Sequence, residues 1–366
     1  MTPPENSLSG LRATVVGSRR IDEKNYLRLE GIAFQLASRG AQIVTGTAAG
    51  ADSAAVDGAL RANKKPPEIW SPFNGHDTRT KKPVLTCTDL HLQIVAACHP
   101  RAFLLDGTPK RLHARNIGQV LGPSCQQRSH VLICFTPDGC QSDLTRTIDT
   151  GGTGTAISLA YWAGVPICNI AATCPESFLE RMHASWTPAF SSFAPNINPH
   201  CRAGLNISSN SKGFAGALTN PTALAKKKGT IQGSYPIDLG TRLGVWPDTE
   251  SAYKHFKHKQ PLSDPGIAFN NKLITWLQAV KLIQHPRLLA TIDKHGGPAW
   301  LAQCSHFVGA PPVGDSLAEW TGQGLRSRFL RTMIVAYWMA HSHSALTPET
   351  TDHWENQLGN PQSTFF

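Results

Sequence analysis

The chain has 366 residues, of which 40% are hydrophobic and 16% are charged. This length allows two domains with sizeable cores, and the composition is that of a globular protein rather than a low-complexity or fibrous one. The formal net charge is +10 and the isoelectric point is near 9.3. Such a charge favours polyanionic partners, namely nucleic acid, nucleotides or acidic membrane surfaces. A basic protein without a polyanionic partner is an equal alternative.

Cysteine usage and hydropathy restrict the compartment and the cofactors. Nine cysteines without a CxxC pair argue against a disulfide scaffold and against a structural zinc site. Cys134, Cys168 and Cys304 lie in apolar or helical contexts and are predicted to be reduced core thiols. The first ten residues are polar, and no apolar run approaches the roughly 18 residues of a membrane span. We therefore expect a cytoplasmic protein with no membrane partner, no metal and no cofactor.

Strands and helices alternate in the first half of the chain. Leu29, Ile32 and Leu36 have helical spacing and predict the first helix, with Gly40 just beyond its end. Further helices are predicted over 53–60, 90–97 and 156–163, and another opens at His113. The predicted strands are 11–16, 41–44, 66–70, 130–135 and 166–170. This alternation predicts an α/β, Rossmann-like domain with a parallel sheet, helices on both faces and ligands at the carboxyl ends of the strands.

Three glycine-containing loops, 17–20, 45–52 and 151–155, follow predicted strands or enter helices. Glycines let the backbone approach a ligand, and the N–H groups of a following helix favour a bound phosphate. Arg19, Arg20 and Arg115 can offer guanidinium groups to phosphates. Asp52 either orients a ribose hydroxyl or caps its helix. The predicted nucleotide-binding residues are Gly17, Ser18, Arg19, Gly46, Gly50, Asp52, Arg115, Asn116, Gly151, Gly152, Thr153, Gly154 and Thr155.

Four motifs occur in a particular order: Val-Gly-Ser-Arg at 16–19, Thr-Gly-x-Ala-x-Gly-x-Asp at 45–52, Ala-Arg-Asn at 114–116 and Gly-Gly-Thr-Gly-Thr at 151–155. This order resembles the SLOG superfamily, which includes the Rossmann core of DNA-processing protein A, the cytokinin-activating "lysine decarboxylase-like" enzymes and molybdenum-cofactor carrier-like proteins. The resemblance covers residues 11–172 and implies a nucleotide-binding fold. In the cytokinin-activating members a catalytic glutamate follows the second glycine motif, whereas residues 156–160 here lack a carboxylate. The resemblance therefore implies binding or sensing rather than hydrolysis in this domain.

The composition changes near residue 200, after a proline-containing stretch. We predict a Rossmann-like domain at 1–172, a linker at 173–200 with a short helix at 176–184, a second, mostly α (α+β) domain at 201–342, and a polar, weakly ordered tail at 343–366. Short strands are predicted at 205–207 and 235–239 in the second domain. Its helices are predicted to begin near residue 246, to cover 273–281, and to include 329–337.

Three polar residues of the second domain share one predicted helical face. Tyr253 and Lys257 follow Glu250 at three and seven residues, and at about 100° per residue their side chains project to the same side. A carboxylate, a phenol and an ammonium group on one face are typical either of a site or of a solvated, salt-bridged surface. For an isolated helix the solvated surface is the usual outcome.

The surrounding motifs resemble the NADAR/YbiA-like family over residues 205–340. The motifs are Leu-Thr-Asn ending at Asn220, the segment 246–257, the helix carrying Lys281, and Trp-x-Gly-x-Gly beginning at Trp320. The family hydrolyses N-glycosidic bonds to ribose phosphates. The resemblance implies that Glu250 stabilises an oxocarbenium ion or acts as a base, that Lys257 and Lys281 hold phosphate or ribose oxygens, that Asn220 contacts ribose or base, and that Trp320 or Tyr253 stacks on a ring.

Two classes of function follow. One is an N-glycosidic bond hydrolase acting on an ADP-ribose-type or related nucleotide, with a nucleotide-binding or sensing domain at its N-terminus. The other is a non-enzymatic nucleotide sensor or a DNA-binding protein. A transferase that exchanges a base on ribose would use the same site as the hydrolase. DNA and a second copy of the chain stay open as partners. By fold-level analogy, such a pairing is typical of phage–host conflict or NAD-metabolite signalling.

Overall fold

The computed structural model describes residues 7–99, 105–125, 127–185, 202–257, 264–308 and 320–359. The chain divides into two compact units, one of Met1–Val95 with Leu104–Ala194 and one of Ala96–Phe103 with Pro195–Phe366. The domain boundaries expected at 172 and 200 stay predictions, and much of the linker lies outside the described residues. Within the described ranges, no helix is long and apolar enough to cross a membrane.

A six-stranded, all-parallel sheet forms the centre of the first unit, in the order β4-β3-β2-β1-β5-β6. Its strands are β1 (Arg12–Gly17), β2 (Gln42–Gly46), β3 (Glu68–Ser71), β4 (Leu85–Thr86), β5 (Val131–Phe135) and β6 (Ile167–Asn169). In register, Val15 of β1 lies opposite Ile133 of β5, and Thr14 lies opposite Val44 of β2. The predicted Rossmann-like fold is confirmed.

The helices of this unit follow the strands as the alternation predicted. They are α1 (Glu23–Ser38), α2 (Ala51–Ala62), α3 (Asp89–Cys98), α4 (Gly107–Leu121), α5 (Gly154–Trp162) and α6 (Pro175–Ser185). The start of α1 is capped by Asp22, whose carboxylate accepts the N–H of Asn25 at 2.9 Å. Beyond its end, Gly40 adopts a φ of 94°, which ends the helix at little steric cost.

Helices cover both faces of the sheet. Side chains alternate along β1, so neighbouring residues of this strand contact helices on opposite faces. Ala13 and Val15 lie in a buried apolar cluster with Leu29 of α1 and Ala55 of α2. Thr14, between them, faces the opposite side, where its hydroxyl donates to the carbonyl of Gln119 in α4 at 2.7 Å. Therefore α1 and α2 pack on one face and α4 packs on the other, as the sequence predicted.

Two local predictions in this unit are wrong. The helix expected to open at His113 begins at Gly107, where the carboxylate of Asp106 accepts the first N–H at 2.7 Å. The stretch 151–155, expected to be a loop, is helical: Gly151–Thr153 form a 3₁₀ turn that runs directly into α5. Both errors place potential ligand contacts on helices, where their spacing is fixed.

The second unit is mostly helical, with short antiparallel strand pairs. Its helices are α7 (Gly213–Leu218), α8 (Thr222–Lys227), α9 (Thr249–Phe256), α10 (Asp264–Gln284), α11 (Pro286–His295), α12 (Gly297–Leu301), α13 (Arg328–Ser342) and α14 (Pro348–Leu358). The strands are β7 (Ile237–Asp238) paired with β8 (Val245–Trp246), and β9 (Ser305–His306) paired with β10 (Gly322–Gln323). The strand expected at 205–207 is reduced to a single bridge from Asn206 to Ser305. The core forms where α10 packs against α13.

The weakly ordered tail expected at 343–366 is contradicted over its described part, because residues 348–358 form α14. Thr347 caps this helix through its hydroxyl, and Pro348 occupies the first turn. Trp354 is buried and stacks on Trp276 of α10, with ring centroids 5.0 Å apart and planes at 16°. One buried tryptophan therefore joins a segment of polar composition to the core.

The contribution of Trp354 can be measured directly. We expect Trp354→Ala to lower the free energy of unfolding by about 3–5 kcal/mol, because it removes a buried indole and leaves a cavity against Trp276. Asp352→Ala, an exposed change on the same helix, should stay within about 0.5 kcal/mol of the wild type. Denaturant unfolding measures both; equal stability of the two variants would contradict the role of α14 in the core.

Candidate functional site

A cavity of about 450 Å³ lies at the carboxyl end of β1, bounded by the segments that follow β1 and β2, by α4 and by the 3₁₀ turn. The chain proceeds from β1 to β4 on one side of the sheet and then crosses to β5 and β6 on the other. Parallel sheets bind ligands at such a reversal of strand order. The fold therefore places this cavity where an α/β protein of this kind holds its ligand.

Two glycines allow the elements around this cavity to meet. A Cβ atom at Gly17 would lie 2.6 Å from the carbonyl oxygen of Phe135 and 2.8 Å from Cβ of Ala51. Gly50 begins α2 with a φ of 80°, and a side chain there would strike the carbonyl oxygen of Ser18 at 2.6 Å. The end of β1 is thus held between β5 and α2 with no room for side chains at either position.

A buried ion pair joins α2 to α4 beside the cavity. Asp52 is 1% exposed, and its Oδ2 lies 3.3 Å from Nη1 of Arg115 and accepts the N–H of Ala48 at 3.2 Å. A Cβ atom at Gly46 would lie 2.3 Å from that oxygen and 2.7 Å from Nη1 of Arg115. The glycine at the end of β2 therefore leaves the space that the ion pair occupies.

The environment of Asp52 settles one of the two roles predicted for it. The N-cap of α2 is Gly50, and Asp52 lies in the first turn without capping the helix. Burial raises the pKa of the Asp52 carboxyl, while the Arg115 guanidinium and the N–H of Ala48 act in the opposite direction. The helix-cap alternative is wrong; the ribose alternative stays a prediction.

Helix α4 presents His113 and Asn116 on one face, because residues three apart lie side by side. The amide nitrogen of Asn116 donates to the carbonyl of Gly152 at 2.9 Å, and its Oδ1 accepts from Arg115 at 3.3 Å. His113 contacts the hydroxyl of Thr155 at 2.8 Å. Burial, followed by the nearby Arg146 and Arg115, lowers the pKa of His113 to about 4. The imidazole is therefore neutral at neutral pH, and α4 is tied to the glycine turn.

Positive charge enters the cavity from the segment after β1. Arg19 and Arg20 are exposed and line the cavity. Among the described residues, neither guanidinium takes part in an ion pair or a side-chain hydrogen bond. Asp149, which precedes the glycine turn in sequence, also lines the cavity. The arrangement can receive an anion at the guanidinium groups without breaking an existing ion pair.

Some of the predicted binding residues line the cavity, and the others lie behind its wall. Those that line it are Gly17, Ser18, Arg19, Asp52, Arg115, Asn116, Gly151, Gly152 and Thr153. Gly46, Gly50, Gly154 and Thr155 lie behind the wall and support it. His113 also lines the cavity and was not among the predicted residues, although its spacing of three residues from Asn116 on one helix is a signal that identifies it.

In the second unit the structure brings most of the predicted site residues together around α9. Asp248 caps α9 by accepting the N–H of Ser251 at 2.8 Å, and its other oxygen accepts the N–H of Ala223 at 2.8 Å. The N–H of Glu250 donates to the carbonyl of Asn220 at 3.3 Å. The rings of Tyr253 and Trp320 meet edge to face at 5.7 Å.

The predicted face of Glu250, Tyr253 and Lys257 is only partly formed. Helix α9 ends at Phe256, and Lys257 is its C-cap, with a φ of −62° and an N–H that donates to the carbonyl of Tyr253 at 2.9 Å, so its side chain still leaves the helix on the predicted side. Glu250 instead pairs with Lys254, 3.3 Å away and one turn further on. Lys257 lies with its ammonium 5.8 Å from the centroid of the Tyr253 ring. The position of Lys257 near Tyr253 agrees with the predicted face, and the grouping of Glu250 with Lys257 stays a prediction.

Lys281 is buried beneath this cluster. Its ammonium donates to the carbonyls of Ala217 and Thr219, each at 2.7 Å. Burial lowers its pKa to about 7, and the Asp248 carboxylate acts against that shift. The side chain therefore fixes the end of α7 and the residue before Asn220. This geometry makes Lys281 a positioning residue in place of the predicted contact with phosphate or ribose.

Arg328 is an unpredicted member of the cluster. Its guanidinium lies 4.5 Å from the centroid of the Trp320 ring, and its Nε donates to Asn271. A guanidinium on an indole face is a cation–π contact. No motif in the residues around Arg328, at the start of α13, indicated this contact with Trp320.

Among the described residues, no cluster of three or more His, Cys, Asp or Glu side chains could hold a metal ion.

The close packing around Gly46 predicts that a side chain at this position would destabilise the protein. We expect Gly46→Ala to lower the free energy of unfolding by about 1–3 kcal/mol, because the new Cβ atom would force the Asp52–Arg115 pair apart. Gly152→Ala is the matched control, since its Cβ atom would meet only His113, at 4.0 Å. That variant should stay within about 0.5 kcal/mol. Thermal unfolding of the two proteins measures the contrast, and equal destabilisation would contradict it.

Residues 5–68 match a family model described as DNA recombination-mediator protein A. The matched segment contains β1, α1, β2 and α2, and therefore two of the walls of the cavity. A comparison with curated proteins finds no match, and a comparison with solved structures also finds none. The N-terminal segment is thus similar to the DNA-processing A family, as the SLOG resemblance implied. The match does not reach the second unit, where the NADAR resemblance stays a prediction.

Proposed function

We propose that the first unit binds a phosphorylated nucleotide in the cavity at the carboxyl end of β1. The observation that carries this proposal is that Arg19, Arg20 and Arg115 meet the glycine turn 151–153 in one cavity. Guanidinium groups and close backbone approach are the means by which proteins hold phosphates. The volume of about 450 Å³ lies within the range of pockets for small molecules. The match at residues 5–68 is compatible with a nucleotide-binding or DNA-processing domain.

The chemistry of the cavity favours binding over catalysis. Asp52 is engaged with Arg115, and Thr155, at the start of α5, is engaged with His113. The next residues of α5 are Ala156, Ile157 and Ser158, so no carboxylate follows the glycine turn on this helix. A nucleotide bound here would contact the segment after β1, helix α4 and the glycine turn at once, and would thereby couple their positions. The first unit is therefore proposed as a sensor.

The guanidinium of Arg19 provides the test of nucleotide binding. We expect Arg19→Ala to weaken binding of AMP and ADP-ribose about tenfold, because it removes a charge-assisted contact to phosphate. Arg39→Ala removes the same charge at an exposed position outside the cavity, and should leave the affinity unchanged. Isothermal titration measures both variants. No binding by the wild type, or equal losses in the two variants, would contradict the proposal.

DNA is the other polyanion that the basic charge allows. Titration of single-stranded DNA at several salt concentrations distinguishes DNA binding from nucleotide binding. A surface that contacts many backbone phosphates binds DNA with an affinity that falls steeply as salt increases. Binding of DNA with a steep slope, together with no binding of mononucleotides, would replace the nucleotide proposal.

A second candidate function concerns the second unit, namely hydrolysis of an N-glycosidic bond in an ADP-ribose-type or related nucleotide. The observation that favours it is the grouping of Glu250 with the aromatic pair of Tyr253 and Trp320. Buried polar atoms also surround Asn220 without a hydrogen-bond partner in the described part of the chain. They belong to Thr219, Thr222, Thr249 and Gln278.

The residues offer the parts that this reaction requires. Cleavage of the bond builds positive charge on the ribose ring, which a carboxylate stabilises. Glu250 is the carboxylate at the edge of the cluster, with a side chain that is 28% exposed and therefore reachable. Tyr253 and Trp320 can hold the base by stacking, with Arg328 fixing the indole.

Substitution of Glu250 tests the hydrolase. We expect Glu250→Gln to release base from NAD, ADP-ribose or ADP-ribosylated guanine DNA at least about 100-fold more slowly than the wild type, since the amide removes the stabilising charge. Glu349→Gln, exposed at the start of α14, is the control that keeps full activity. No release from any substrate by the wild type, or equal rates in the two variants, would overturn this candidate. Base incorporation without net hydrolysis would assign a transferase.

A further inference from the structure

Helix α4 presents two apolar side chains to the cavity of the first unit. Its cavity-lining residues recur at intervals of three or four, which places them on one face of the helix. They include Pro109, Leu112, His113 and Asn116. Exposure falls along this face, because Pro109 is exposed, Leu112 is half-buried and Asn116 is 5% exposed. The first turns of α4 therefore form the outer part of the cavity, and Pro109 and Leu112 make an apolar wall there.

The charged residues of the cavity enter it from the opposite side. The segment after β1 rests on the start of α2, where the carbonyl of Ser18 accepts the N–H of Ala51 at 3.2 Å. A Cβ atom at Gly50 would lie 2.6 Å from the carbonyl oxygen of Arg19. Because α2 and α4 pack on opposite faces of the sheet, Arg19 and the apolar wall lie on opposite sides of the cavity. A ligand that fills the space between them meets a guanidinium group on one side and aliphatic carbon on the other.

These two sides differ in the ligand groups that they can hold. Arg19 and Arg20 offer charge and N–H donors to a phosphate. The side chains of Pro109 and Leu112 have no donor or acceptor, so a phosphate or a sugar hydroxyl placed against them would lose water without a replacement. A flat, weakly polar ring is stabilised there, because contact with aliphatic carbon removes apolar surface from water. A nucleoside phosphate carries both groups, whereas a sugar phosphate carries only the anion.

We propose that Pro109 and Leu112 are the contact surface for the nucleobase, so that the first unit holds nucleoside phosphates and discriminates against phosphates that lack a base. This inference rests on the proposed nucleotide-binding function. It orients the ligand across the cavity, with its phosphate toward Arg19 and the glycine turn and its base on the outer turns of α4.

The test compares the four ribonucleoside 5′-monophosphates with ribose 5-phosphate and inorganic phosphate by isothermal titration. We expect the wild type to bind at least one nucleotide about tenfold or more tightly than ribose 5-phosphate. Leu112→Ala should weaken that nucleotide about fivefold and leave ribose 5-phosphate unchanged, since it removes aliphatic contact area. Leu112→Met, which conserves the apolar volume, should keep the wild-type preference. Arg19→Ala should weaken both ligands by the same factor.

Leu27→Ala is the matched control, because it shortens a leucine that is 56% exposed on α1 and lies outside the cavity. It should leave every affinity unchanged. Equal losses of nucleotide affinity in Leu27→Ala and Leu112→Ala would overturn the inference.

The remaining outcomes separate the inference from the function on which it rests. Absence of binding by every phosphorylated ligand overturns both. Equal affinity of the wild type for nucleotides and ribose 5-phosphate overturns only the base contact, since the phosphate site then stands. A nucleotide preference that persists in Leu112→Ala also overturns the base contact. If that variant does not fold, Pro109→Ala, at an exposed position, takes its place and should lower the preference at least about twofold; an unchanged preference overturns the inference.

Discussion

The buried pair of Asp52 and Arg115 is the interaction on which the first unit's cavity depends. It joins the first turn of α2 to the middle of α4, and it fits only because β2 ends in a glycine. A buried ion pair gains stability only when good geometry and further hydrogen bonds offset the loss of solvation. Here Ala48 and Asn116 supply part of that support. Oδ1 of Asp52 and Nε of Arg115 have no hydrogen-bond partner within the described ranges.

The second unit depends on a comparable buried contact. Lys281 donates to two carbonyls at the end of α7, and Asp248 accepts the N–H groups of Ala223 and Ser251. Together they hold the end of α7 against α10 and the start of α8 against the start of α9. The aromatic rings of Tyr253, on α9, and Trp320 meet edge to face. In the first unit the buried Asp52 and Arg115, and in the second unit the buried Lys281 and Asp248, fix the elements that carry the more exposed polar residues.

Several residues expected to touch a ligand instead support those that do. Gly46 and Gly50 provide space and a turn, and Thr155 orients His113. Sequence motifs identify such positions because substitution is costly there. They do not distinguish a residue that contacts the ligand from one that only supports the cavity wall. Lys257 lies at the C-cap of α9 with its ammonium near the Tyr253 ring, whereas Glu250 pairs with Lys254.

The sequence by itself determined the alternating strands and helices, the parallel sheet and the edge at which the glycine segments gather, because these follow from local periodicity and from the connections of parallel strands. It also identified most residues of the cavity wall. Only the tertiary structure decided that Trp354 joins the core through Trp276 and that Asp52 pairs with Arg115. These outcomes depend on contacts between residues far apart in the chain, whose burial and unmet hydrogen bonds no local pattern contains.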